Sequence, residues 1–259
     1  MKRLSFQYHL KISMDAPVSR HCFTLRLTPE SDERQRIEQL QQNIFPCDYL
    51  RNSRDEWGNS LLYGSFHDTH SIFEADVNGQ ALTGLAEGVP VKEPEKERIF
   101  QYATPLTRPD DALLRFSAGL GPHSGSEEEI LSVMRAVHDA LNYEPGVTNT
   151  KTTAAEAFVM GRGVCQDYAH VMLAVLRSRG IPARYAAGML LGEGASHAWV
   201  EALHNGIWVG YDPTNCLVVS DEHILLARGR DAQDCAINRG IFRGYASQTT
   251  EISVIVTEL

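Results

Sequence analysis

The chain has 259 residues, 43% of them hydrophobic and 22% charged, with a formal net charge of −9. This composition describes an ordinary soluble globular protein and excludes a disordered one, and the length suits one large core or two modest ones. The acidic balance contains no Lys/Arg-rich block, which argues against a general nucleic-acid or anionic-membrane surface, and no apolar run approaches the roughly 20 residues of a spanning helix.

The stretch MKRLSFQYHLKISMDAPVSR has a basic start. Polar residues interrupt it before an apolar segment of about 7 to 15 residues, the heart of a secretory leader, can form. The five cysteines, Cys22, Cys47, Cys165, Cys216 and Cys235, are odd in number and form no CxxC pair. That pattern fits a reducing compartment and not a disulfide framework. The expectation is a soluble, cytoplasmic protein with neither nucleic acid nor membrane as partner.

From Met1 to about Thr104, short alternating runs such as Leu4-Ser5-Phe6-Gln7-Tyr8-His9-Leu10 and turn signals such as Trp57-Gly58-Asn59 and Val77-Asn78-Gly79 predict a β-rich domain, a sandwich. Asp32 to Gln42 is charged and reads as a short solvated helix or loop. Glu93-Pro94-Glu95-Lys96-Glu97 reads as an exposed connection. Helical patterning follows Thr107-Arg108-Pro109-Asp110. Ser126 caps a helix with Glu127, Glu128 and Glu129 in its first turn and Ile130, Val133, Met134, Val137 and Leu141 on one face. Thr152 or Thr153 caps a shorter helix from Ala154 to Met160, stopped by Gly161-Arg162-Gly163. A third helix carries Ala169, Met172, Leu173 and Leu176 and ends at Gly180, with Pro182 beyond. Ala183 to Leu191, His197 to His204 and Ile207 to Tyr211 are predicted strands, the last two joined by a tight Asn205-Gly206 turn. Ile252 to Val256 is another.

The residues that carry chemistry lie in this second half. Cys165 starts the third helix, where unpaired N–H groups and the helix dipole favour a thiolate and could also stabilise an oxyanion. His197 opens a strand whose alternation sets Ala198, Val200 and Ala202 on one face and Trp199 and Glu201 with His197 on the other. Asp212 ends the hairpin partner of that strand, where its carboxylate could orient the imidazole. Taken singly, each has a plainer explanation: a buried small side chain, a strand histidine, an Asp-Pro turn. Spacing and position alone leave both readings open.

The blocks GRGVCQDYAHVMLAVLRSRGIPARYAAGML and SHAWVEALHNGIWVGYDPTN resemble the core of the transglutaminase-like superfamily of papain-like cysteine enzymes, in particular its bacterial branch of candidate cysteine proteases. YHLKISMDAPVSRHCFTLRLTP, DEWGNSLLYGSFHDTH and GRDAQDCAINRGIFRGY extend the resemblance, less specifically, over nearly the whole chain. The resemblance implies an α+β fold with a β-sandwich domain at 1–107 and a transglutaminase-like catalytic domain at 108–259, whose helix-start cysteine packs against an antiparallel sheet. It implies Cys165 as nucleophile, His197 as general base and acid, and Asp212 as orienting carboxylate. The expected reaction is acyl transfer at an amide of a peptide or protein, through a thioester and without metal or organic cofactor. Hydrolysis is favoured, because water needs no second binding site. Transglutaminase cross-linking and a non-catalytic binding scaffold are the alternatives.

Other residues have structural readings. Asp167 stabilises the helix start, Trp199, Trp208 and Tyr211 pack beside the site, and Arg184 makes a salt bridge. His67-Asp68-Thr69-His70 is half a metal site with no strong second pair of ligands, and Cys216 and Cys235 lack zinc-site spacing.

Overall fold

The computed structural model describes residues 1–91 and 93–259. Five strands come first: β1 (Lys2–Leu25), β2 (Gln35–Phe45), β3 (Tyr49–Arg54), β4 (Ser60–Phe66) and β5 (His70–Thr83). After the two-residue β6 (Val89–Pro90) come the helices α1 (Pro94–Glu97), α2 (Asp111–Gly119) and α3 (Glu127–Ala140), then β7 (Asn142–Tyr143), α4 (Ala154–Met160), β8 (Arg162–Gly163) and α5 (Cys165–Ser178). The remainder is strand: β9 (Ala183–Leu190), β10 (Gly192–Gly194), β11 (His197–His204), β12 (Ile207–Asp212), β13 (Leu217–Val218), β14 (His223–Gly229), β15 (Asn238–Arg243) and β16 (Gln248–Glu258).

β1 organises the first region because its period-2 pattern continues for most of its length. Leu4, Phe6, Tyr8, Leu10 and Ile12 all turn inward and are buried. Its first half lies between β5 and β16, and its second half, past a register shift, between β4 and β15. One strand thus serves both faces of a folded-over sheet, with the rings of Phe23 and Phe73 4.6 Å apart between them. A separate sheet runs β13-β12-β11-β9-β14, antiparallel throughout, and α5 packs on it.

α5 is buried from Asp167 to Arg177 without an exposed stripe, which marks a central helix and not a surface one. The face of β11 formed by Ala198, Val200 and Ala202 meets it, while α2, α3 and α4 cover its other sides. Each fully buried aliphatic side chain here, such as Leu173 or Val200, contributes about 1.5–3 kcal/mol. The predicted caps are in place: Ser126 Oγ accepts the Glu129 N–H, and Thr153 and Glu156 form a reciprocal capping box. Asn205 and Gly206 both take positive φ in the tight turn between β11 and β12.

One expectation needs correction, and two features of the fold were not foreseen. Asp32 to Gln42 is not a helix or simple loop, because residues 35–45 form β2 on the edge of the sheet, paired with β5. Most of its residues are exposed, and a bulge between Glu38 and Gln41, with Gln39 at φ 51°, breaks the alternation a strand normally displays. Strands from beyond residue 107 also join the first sheet. β15 and β16 return to pair with β1, β10 pairs with β16, and β6 joins β12. Finally, β14 closes the second sheet against β9, where no strand was expected.

Candidate active site

The start of α5 is built by short-range chemistry. Gly161 takes the left-handed conformation (φ 65°) that ends α4, β8 pairs with β7, and Val164 is extended so that Cys165 becomes the first helical residue. Asp167 Oδ2 reaches back to accept the Val164 N–H at 2.8 Å and also accepts the Thr148 hydroxyl at 2.7 Å. A Cβ at position 163 would stand 2.5 Å from that oxygen, so the glycine permits the return of the carboxylate. Burial raises the Asp167 pKa, against the two hydrogen bonds that favour its ionised form. The expected helix-stabilising role of Asp167 is the one observed.

The two other predicted residues meet this helix start. β11 begins beside it, with Cys165 Sγ 4.0 Å from the Ser196 carbonyl. His197 donates Nε2–H to Asp212 Oδ2 at 2.7 Å, leaving Nδ1 for the thiol of Cys165. Burial by itself would lower the His197 pKa, but hydrogen bonds to Asp212 and Cys165 and their charges outweigh it and raise the pKa to about 9. Burial would likewise raise the pKa of Asp212, yet the hydrogen bonds from His197 and His223 hold it well below the usual carboxylate range. Asp212 has no exposed surface, and its Oδ1 accepts the N–H groups of Thr214 and Asn215 at 2.9 and 3.1 Å. Asn215 Nδ2 donates to Oδ2 at 2.8 Å. The Asp-Pro turn therefore holds one carboxylate oxygen, Oδ1, through its own backbone.

Sequence reasoning missed His223, whose Nε2 lies 3.4 Å from the same Asp212 oxygen. A single histidine at the head of an apolar segment carries no spacing signal, and without β14 in the prediction nothing brought it to the site. The donor atoms of His197, Asp212 and His223 lie within 4.8 Å of one another, a spacing a divalent ion could use. The carboxylate already accepts N–H groups from five directions, so the arrangement is that of a hydrogen-bonded network.

The remaining candidates are structural. Trp199, Trp208 and Tyr211 are buried; the Trp199 ring lies 6.3 Å from that of His197 and 5.3 Å from that of His223. Arg184 pairs with buried Glu201 at 2.7 Å and stacks over Trp208 at 4.3 Å. His70 meets His21 at 3.2 Å, while His67 pairs with Asp48 on the surface, so the two histidines of that motif face different partners. Cys235 is buried against Tyr185, and Cys216 is half-buried at the edge of the helical core. A cavity of about 720 Å³ has Trp199, His223, Arg34 and Glu87 on its wall, but neither Cys165 nor His197.

Known proteins share parts of this sequence and its fold. A model of the transglutaminase-like superfamily matches residues 115–213, and one of the bacterial transglutaminase-like N-terminal region matches residues 4–81. "Uncharacterized protein ML0607" of Mycobacterium leprae is 30% identical over 271 residues, covering 95% of each chain. "Uncharacterized protein Rv2569c" of Mycobacterium tuberculosis is 27% identical over 89% of this chain and 84% of its own. The crystal structure of a candidate cysteine protease from Cytophaga hutchinsonii superposes with a TM-score of 0.83 at 23% identity, over 100% of this chain and 92% of that one. That likeness establishes the mixed α and β architecture with its papain-like core.

Proposed function

The chain belongs to the transglutaminase-like superfamily, and from that membership we propose that it is a cysteine-dependent enzyme that cleaves amides of peptides or proteins through a thioester. The observation that carries the reading is the alignment of Cys165 at the head of α5 with His197, whose far nitrogen donates to Asp212. A raised His197 pKa supports an imidazolium beside Cys165 before substrate arrives.

The Cys165 thiolate attacks the amide carbon, and the carbonyl electrons move to oxygen. The first-turn N–H groups of α5, which lack intrahelical acceptors, are suited to receive that oxyanion. As the tetrahedral species collapses, the C–N bond breaks, and the His197 imidazolium gives its Nδ1 proton to the departing amine. Neutral His197 then removes a proton from water, the resulting hydroxide equivalent attacks the thioester, and the thiolate leaves as the carboxylic acid forms. Asp212 keeps the Nε2–H tautomer throughout and stays ionised. Water is the favoured acceptor because no second binding site is required for it. The five unpaired cysteines support a reducing, cytoplasmic location.

The test is the alkylation rate of each cysteine against pH, located by peptide mass spectrometry, in the native protein and in His197→Ala. Selective labelling of Cys165 at pH 5 to 6 that disappears in the variant supports the thiolate–imidazolium pair. Labelling of Cys165 only near the ordinary thiol range of about 8.5, or none while folded, favours a scaffold. Turnover of a labelled casein with and without a primary amine then separates release of peptides from incorporation of the amine.

A further inference from the structure

His223 has features that packing alone leaves unexplained. It is 5% exposed, its Nε2 points at an oxygen already bound by His197, and its Nδ1 is buried with no partner among the described residues. A carboxylate at Nε2 and no acceptor at Nδ1 favour a proton on Nε2. The approach of the two imidazoles, 5.9 Å between ring centres, is also built into the sheet. β9 separates β11 from β14, and its Gly188 stands opposite both His197 and Leu225. A Cβ at 188 would lie 2.6 Å from the Trp199 ring, so the glycine lets that indole lie across β9 and meet His223 edge-on. The titratable groups gathered here are His197 from β11, Asp212 at the end of β12, His223 from β14 and, beyond His197, Cys165 from α5.

We propose that His223 is a positioning residue that shares the Asp212 oxygen with His197 and thereby sets both the orientation of the carboxylate and how tightly His197 holds its proton. The role rests on the enzymatic reading above. Each donor to a carboxylate takes up part of its acceptor capacity. Removing His223 therefore leaves an Asp212 that is less firmly held and that binds the His197 proton more strongly.

The experiment is the pH profile of Cys165 alkylation by iodoacetamide in wild type, His223→Phe, His223→Gln and His223→Asn, each checked for fold by circular dichroism. Loss of a hydrogen bond to a charged group lets the carboxylate, and His197 with it, swing away from Cys165, which predicts a fall of about tenfold in the plateau rate in His223→Phe, while the His197-dependent limb of the profile moves to higher pH. Gln, whose amide N–H can stand in for Nε2, restores most of the rate; Asn, one methylene shorter, does not. A folded His223→Phe protein with the wild-type rate and profile would overturn the proposal, as would equal behaviour of Gln and Asn if Phe fails to fold. Should wild-type Cys165 show no His197-dependent labelling, the enzymatic reading has failed. Ring ¹⁵N shifts of His223 in Cys165→Ser then report the site independently of activity. An Nε2–H tautomer upholds the shared carboxylate, and an Nδ1–H tautomer refutes it.

Discussion

Two carboxylates, Glu201 and Asp212, lie buried on adjacent strands of the same sheet, 1% and 0% exposed. Glu201 is surrounded by guanidinium groups: Arg184 at 2.7 Å, Arg228 at 2.9 Å and Arg34 at 3.3 Å, with Arg228 also bound to Asp32. Asp212 is surrounded by imidazoles and by the N–H groups of its own turn. Burial would raise both pKa values, and in each case the partners hold the carboxyl well below its ordinary range. What separates the two sites is the partner. Guanidinium does not give up its proton near neutral pH, so Glu201 is a fixed strut that ties the segment before β2 to the second sheet. An imidazole, unlike a guanidinium, can pass its proton to a neighbouring group, so the charge around Asp212 is able to change. Burial and ionisation alone do not distinguish a chemical site from a structural one.

The sharpest break between the two is Asp212→Asn against Glu201→Gln. By analogy with the serine-protease triad, where losing the orienting carboxylate costs about 10⁴-fold, Asp212→Asn should nearly abolish labelling of Cys165 at pH 6, read by mass spectrometry. Glu201→Gln should leave the pH profile of the folded fraction unchanged. Stability should show the reverse. Removing one partner from a buried ionic cluster costs about 3–5 kcal/mol, so Glu201→Ala should lower the urea midpoint strongly.

The pH dependence of stability sharpens the contrast further. His197 has its folded pKa raised to about 9 from an ordinary value of 6.5, so its contribution is complete below about pH 6.5 and is lost as pH rises through 9. A decline of about 1–3 kcal/mol between pH 6 and 10 is expected in thermal melts of the wild type and absent from His197→Gln. The lowered pKa of Asp212 works in the opposite sense, with stability present above about pH 4 and lost below it. The smallest effect is expected at Gly163→Ala, where the new methyl meets Asp167 and costs about 1–2 kcal/mol of overpacking strain. Its signature is a lowered melting temperature with His197-dependent labelling retained.

The helices around Cys165 were legible because local rules determine them: Ser126, Thr153 and Gly161 start and stop helices through their own side chains or backbone freedom. Cys165, His197 and Asp212 were legible as positions at element ends, and the family resemblance turned that placement into a definite expectation. β2 was not legible, since an edge strand exposed on both sides has no alternation to display. The sheet that β15 and β16 join was also hidden, because pairing between residues about 240 positions apart leaves no mark in either segment. His223 was hidden for the same reason: its significance is wholly tertiary.

The pairing of β16 with β1 has a consequence for how the protein comes into being. β16 also holds β10, through Gly192↔Val256 and Gly194↔Val254, and β10 ends two residues before Ser196-His197. The strand that pins the lead-in to the histidine is thus synthesised more than 200 residues after the strand it must find. Contacts of such sequence separation form late. A nascent chain can carry its thiol, and even the helix that presents it, before the imidazole is locked opposite. The order of synthesis itself keeps Cys165 and His197 apart until the fold around them is closed.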